Sequence, residues 1–171
     1  LLGRGEVALL AALLVGYLAI LVVRAWRFGP TMHEPSHLLS AHLYWRGEDH
    51  LKPRDMPPLI KMVGGWVPGL HGIPVPVDRP DIWGTQDEWS ISNEMMARKN
   101  ARQIQQVLFY SRLPLLIFPM LNVLLVWWWG RQAFAPAVAL LLTTAYLFEP
   151  TALGHASLFK NDLAAAFAFT F

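Results

Sequence analysis

The sequence predicts an all-α integral membrane protein, and three observations carry that reading. Of its 171 residues, 54% are hydrophobic and only 15% charged, with a mean hydropathy of +0.34. The apolar residues fall in blocks rather than at amphipathic spacing, so whole segments, not single faces, have to leave water. The first block, Val7 to Val23, is uninterrupted by charge and is followed by Arg24 and Arg27, whose long side chains can snorkel at its end. Cysteine is absent, which rules out disulfides and thiolate chemistry.

Residues 1–26 are read as the first transmembrane helix; a signal peptide is the competing reading, but no small-x-small cleavage site follows the block. Residues 27–106 form an external loop carrying juxtamembrane and interfacial helices. Within it, Glu34 to Arg46 reads as a helix with Pro35 in its first turn, where a missing N–H costs nothing. Pro53, Pro57 and Pro58 then break regular structure. Leu59 to Leu70 is apolar but too short to span, so it is expected along the membrane surface or as a re-entrant segment. Pro74, Pro76 and Pro80 mark another turn region, and Trp83 to Gln106 reads as one polar, amide-rich helix.

Residues 107–129 are the second expected span, 133–148 a short third, 149–162 an external loop and 163–171 the start of a fourth. Half a span has no stable place in a bilayer, and the chain opens on Leu1; both are read as marks of a larger protein. Gly130, Arg131 and Gln132 are expected as a tight turn. With Arg4 they supply the basic signals of a cytoplasmic side, leaving residues 27–106 external. Trp127, Trp128 and Trp129 read as an aromatic belt, or as a surface for lipid, pigment or subunit contact.

His33-Glu34-x-x-His37 has the spacing of a zinc-peptidase helix. A zincin needs both histidines inside one continuous helix, and Pro35 disfavours helical geometry at Glu34 before it. The helix therefore begins at the motif, with His33 in the preceding loop and His37 inside. A zinc metallopeptidase is the third-ranked function and no metal site is expected. His37, His42 and His50 are read as ordinary histidines near a membrane surface.

Four short motifs follow one another along the chain: His33-Glu34-Pro35-Ser36-His37, Met56-Pro57-Pro58-Leu59-Ile60-Lys61, Ser111-Arg112-Leu113-Pro114, and His155 through Lys160-Asn161-Asp162. In order and spacing the set resembles the GT-C class of membrane glycosyltransferases, specifically the phospholipid-carrier-dependent family of protein O-mannosyltransferases and aminoarabinose transferases. The resemblance implies the N-terminal part of a GT-C fold. It further implies transfer of a sugar from a polyprenyl-phosphate donor to an acceptor at the external membrane face. The catalytic residues would be Glu34, His33 and Asp162, with Lys61 and Arg112 on the donor phosphate.

The same resemblance implies a bacterial inner membrane with residues 27–106 in the periplasm, membrane lipids and the polyprenyl-phosphate sugar as partners, and no cofactor and no nucleic acid. Three positions depart from the pattern: His33 stands where the family has aspartate, Met56 where it has histidine, and Ser157 where arginine is common. A histidine is itself a competent base near neutral pH. The departures also fit a second class of function, a non-catalytic GT-C-derived subunit packed among other membrane proteins.

Each site residue has a plainer reading beside the functional one. Arg112 lies in an apolar run and either serves a site, snorkels, or pairs with a loop carboxylate. Asp162 is placed to cap the next helix, and Lys61 to anchor an interfacial segment.

Overall fold

The structure is a computed structural model that describes residues 3–48, 57–66, 75–85 and 87–171. His50, Pro53, Met56, Pro74 and residues 67–70 of the apolar stretch lie outside the described residues. Among the described residues every regular element is helical: α1 (Arg4–Arg27), α2 (Glu34–Trp45), α3 (Pro58–Gly65), α4 (Pro80–Trp83), α5 (Glu88–Ala97), α6 (Ala101–Arg112), a 3₁₀ turn (Leu113–Leu116), α7 (Ile117–Ala133), α8 (Pro136–Leu147), α9 (Pro150–His155) and α10 (Asp162–Thr170).

Two helical runs are long and apolar enough to cross a bilayer: Arg4–Arg27, of 24 residues, and Ala101–Ala133, of 33 residues. The second begins six residues before the expected span, at the Asn100 cap, and its polar first turns carry Arg102 and amides. The expected third span is realised as α8, 12 residues long. At 1.5 Å per residue it reaches about 18 Å, short of the ~30 Å hydrocarbon core.

Local chemistry explains where the helices stop. Gly47, at φ 74°, ends α2 in the left-handed region: its N–H donates to the Tyr44 carbonyl and that of Glu48 to the Leu43 carbonyl, a Schellman closure. The segment from Trp83 to Gln106, expected as one helix, is three pieces. Asp87 accepts from the amides of Trp89 and Ser90 and starts α5. Asn100 and Gln103 form a reciprocal capping box that starts α6. Capping side chains interrupted a run whose composition alone is helical. The turn expected at residues 130–132 lies later, since α7 continues to Ala133 and Pro136 restarts the chain as α8. Gly130 is needed for contact, not for turning: a Cβ there would sit 3.1 Å from the Ala139 Cα.

The chain forms two compact units. The first comprises Leu1–Arg24, Leu116–Ser157 and Asp162–Phe171. In it α7 packs on α8 and α10. Asn122, buried in the apolar α7, donates to the carbonyls of Phe118 (3.0 Å) and Leu163 (2.7 Å), tying α7 to α10. Glu6 in the first turn of α1 meets Arg131 in the last turn of α7 at 2.6 Å, so these two helix ends share one end of the unit. The outer surface is apolar, with Val15, Leu141, Trp128 and Phe169 among its exposed side chains.

The second unit comprises Ala25–Leu115 and Leu158–Asn161. Here α2 packs against α3 and α5 around Leu38, Leu39, Leu43, Ile60, Met95, Leu108 and Phe159, all buried. Close approach of α2 and α3 depends on Gly64 and Gly65. A Cβ at Gly65 would stand 2.7 Å from the Trp45 ring and 3.0 Å from the Ala41 carbonyl oxygen, while one at Gly64 would overlap the Phe159 ring. The Trp45 indole donates to the Lys61 and Met62 carbonyls at the end of this contact.

Because α2 backbone meets that Cβ, Gly65→Ala has to part the two helices. The expected loss is about 1–3 kcal/mol of stability, read as a lowered midpoint of unfolding. Gly16→Ala, whose Cβ would meet nothing within 4 Å, is expected to leave the midpoint unchanged or raise it.

A buried arginine–glutamate centre as the candidate functional site

The C-terminus of α1 leaves carbonyl oxygens that no further helical turn satisfies. Two side chains of α6 reach them. Gln105 donates to the carbonyls of Trp26 and Phe28, and Arg112 donates from Nη1 to those of Ala25 (2.9 Å) and Phe28 (2.7 Å). Arg112 Nη2 continues to the Gly29 carbonyl at 2.9 Å. A cation here also meets the negative end of the α1 dipole.

The remaining donors of Arg112 go to Glu34. Nε lies 2.8 Å from Oε1 and Nη2 lies 2.6 Å from Oε2, a two-pronged pair between side chains with no exposed surface. Glu34 opens α2, and its carboxylate is filled by more than the arginine. Oε1 also accepts the Phe159 amide at 2.7 Å, and Oε2 accepts the Thr31 amide at 2.8 Å and the Thr31 hydroxyl at 3.1 Å. All five guanidinium N–H groups thus have acceptors, and both carboxylate oxygens are shared between partners. Burial alone raises the pKa of Glu34. The hydrogen bonds and charge of Arg112, with the amides of Phe159 and Thr31, outweigh burial and hold it below the ordinary glutamate value.

This geometry changes two of the roles expected from the sequence. Arg112 has no N–H left for a donor phosphate. Glu34 is an enclosed anion with no exposed surface, a depressed pKa and both oxygens engaged by Arg112, Phe159 and Thr31. The same bonds occupy the glutamate that a zinc peptidase would need between His33 and His37. Of the alternatives weighed for Arg112, the pairing to a loop carboxylate is the one realised.

His33 is the N-cap residue of α2 and is exposed. Its ring stands edge-on to Trp89, with centroids 5.3 Å apart, and to His37 at 6.2 Å. His37 in turn contacts Phe159 edge-on at 6.5 Å. Lys61 is 3% exposed, on the α3 helix whose Gly64 receives the Phe159 ring. His33, Glu34, Lys61 and Arg112 therefore all belong to the second unit, three of them buried and His33 at the surface. Asp162 belongs to the first unit, where its Oδ2 lies 2.7 Å from His155 Nδ1. It is the first residue of α10 instead of the N-cap expected, and its carboxylate is turned to His155 and not to the helix's first amides.

Several members of the centre were invisible in the sequence. The Phe159 amide and the carbonyls of Ala25, Phe28 and Gly29 are backbone groups with no residue signature. Thr31 had a faint one, a hydroxyl three residues before the glutamate. Among the described residues no group of three or more metal-ligating side chains is assembled. Comparison of the chain with protein-family models, characterised proteins and solved structures returns no match.

Removing either partner strands a buried charge, so Arg112→Leu is expected to cost about 3–5 kcal/mol. Arg112→Lys should recover little of it, since an ammonium has three donors for five acceptors. Chemical denaturation of the purified chain reads both.

The depressed pKa of Glu34 fixes the sign of a pH effect. Its stabilisation is complete above the unfolded-chain value near 4.5 and is lost as pH falls through the lower folded value. An acid-unfolding series should show this loss in wild type and a flatter profile below pH 4.5 in Glu34→Gln.

Proposed function

We propose that this chain is part of an integral-membrane glycosyltransferase that moves a sugar from a polyprenyl-phosphate donor to a hydroxyl acceptor at the external face. The observation that carries the proposal is convergence. Residues far apart in sequence, drawn from three of the four motifs of the GT-C resemblance, gather on the carboxylate of Glu34: the 33–37 segment, Arg112, and Phe159 within the 155–162 segment. Motifs that merely punctuated separate spans would have no reason to share one anion.

Membrane insertion is supported by the two long apolar helices and by the exposed apolar surface of the first unit. The ends brought together by Glu6 and Arg131 suit a shared cytoplasmic side, with residues 27–106 external in a bacterial inner membrane. In this reading the Glu34–Arg112 pair holds the loop between α1 and α2 in place. By the resemblance, Lys61, 3% exposed on α3, is the cation for the departing phosphate. On the acceptor side the resemblance implies Glu34, His33 and Asp162, of which Glu34 is committed to Arg112. The resemblance implies no cofactor.

One observation favours a second reading. The central pair is satisfied entirely from within, as in a scaffold, and a non-catalytic subunit of a larger membrane complex would need nothing more.

Transfer assays separate the two. Full-length protein in membrane vesicles, supplied with labelled polyprenyl-phosphate sugars and hydroxyl acceptors, is expected to form product. Lys61→Ala should raise KM for the donor by about 10- to 100-fold, the worth of one charge-assisted hydrogen bond. Absence of product with every donor would leave the scaffold reading.

A further inference from the structure

Asp162 and His155 close a short excursion of the chain. His155 ends α9 and Asp162 begins α10. The helix that carries the ring, α9, is capped by Glu149, which accepts from the amides of Thr151 (3.0 Å) and Ala152 (2.5 Å). Those two amides hold the Glu149 carboxyl below its ordinary range. His155 Nδ1 and Asp162 Oδ2 are 2.7 Å apart, and the two side chains remain 38% and 49% exposed. Both line a cleft of about 380 Å³ with Tyr146, Glu149, Thr151 and Ala152. That volume lies within the ~300–1,000 Å³ of small-molecule sites.

Two explanations compete for such a contact, and magnitudes choose between them. As a clasp, an ion pair this exposed contributes almost nothing to stability. As a proton-transfer device it has the required parts. A carboxylate accepting from Nδ1–H favours the tautomer with hydrogen on that atom, which makes Nε2 the acceptor nitrogen of a ring that lines an open, largely apolar cleft. His33 lacks this arrangement: among the described residues its imidazole has ring neighbours but no hydrogen-bonded carboxylate.

We infer that His155, oriented by Asp162, is the general base for a hydroxyl-bearing acceptor bound in this cleft of the first unit. The inference rests on the transferase reading above and deepens it. Asp162 thereby becomes a positioning residue. In the step itself, Nε2 takes the proton of the acceptor hydroxyl while that oxygen's electron pair forms a bond to the anomeric carbon. The bond from that carbon to the phosphate oxygen breaks, and its electron pair leaves on the polyprenyl phosphate. The imidazolium then gives its proton to that phosphate or to water, which returns the neutral ring.

The test uses full-length protein in membrane vesicles with a labelled polyprenyl-phosphate hexose. Three acceptor probes are supplied: an alkyl glycoside, a serine-containing peptide and a lipid bearing a free sugar hydroxyl. His155→Ala is expected to lower kcat by about 10²- to 10⁴-fold, with the unfolding midpoint shifted by no more than a few degrees. Free imidazole should restore part of that rate. Asp162→Asn should also lower kcat without imidazole rescue, while Asp162→Glu should retain most of it.

If wild type transfers sugar and His155→Ala transfers it equally well, the base lies elsewhere and the inference is overturned while the transferase reading stands. Loss of rate together with folding, without imidazole rescue, would make the pair a structural clasp and overturn the inference in the same way. Wild type inactive toward every probe would overturn the transferase reading, and this one with it.

Discussion

A guanidinium carries five N–H groups and a charge, and its removal from water is tolerable only if each group finds an acceptor and the charge a partner. Arg112 meets both conditions at once, with three backbone carbonyls and both oxygens of Glu34. Much of the second unit is defined by that requirement. The end of α1 is capped by a side chain from α6, the loop from Phe28 to Thr31 is fixed at both ends, and α2 starts where its first residue can reach the arginine. Hydrophobic packing of α2, α3 and α5 supplies bulk stability, but it is non-directional. The pair supplies direction, since its acceptors exist at one spacing only.

The helices were legible in the sequence to the extent that they rest on bulk properties. The apolar run after Arg4, the Pro35 start of α2 and the long run through residues 107–129 could be read from composition and from proline's missing donor. What was not legible depended on single side chains deciding locally. Trp83 to Gln106 has helical composition throughout, yet Asp87 and Asn100 cut it by offering amides a better partner than the next turn. Gly130 looked like a turn because glycine permits one, whereas its function is to admit Ala139.

For the candidate site, the sequence picks out residues without showing what each is bonded to. Glu34, His33, Lys61 and Asp162 stand out through the GT-C resemblance, and Arg112 also because a charge inside an apolar run is costly and needs a reason. Whether such a charge faces a substrate or another charge depends on a partner 78 residues away, and no local pattern encodes that. The pairing of His155 with Asp162 was hidden for a related reason. Each had been noticed, but the geometry of the residues between them sets their meeting.

The Phe159 amide is the most distant contributor to the Glu34 carboxylate, 125 residues further along the chain. A ribosome therefore delivers the glutamate and the arginine well before it delivers the donor that finishes their environment. Until residue 159 emerges, Oε1 has the arginine alone, and the space over Gly64 lacks the Phe159 ring. Nascent chains halted before that point would hold an incompletely enclosed ion pair, open to water and to other donors. One of the second unit's early charges is thus sealed by one of its last residues.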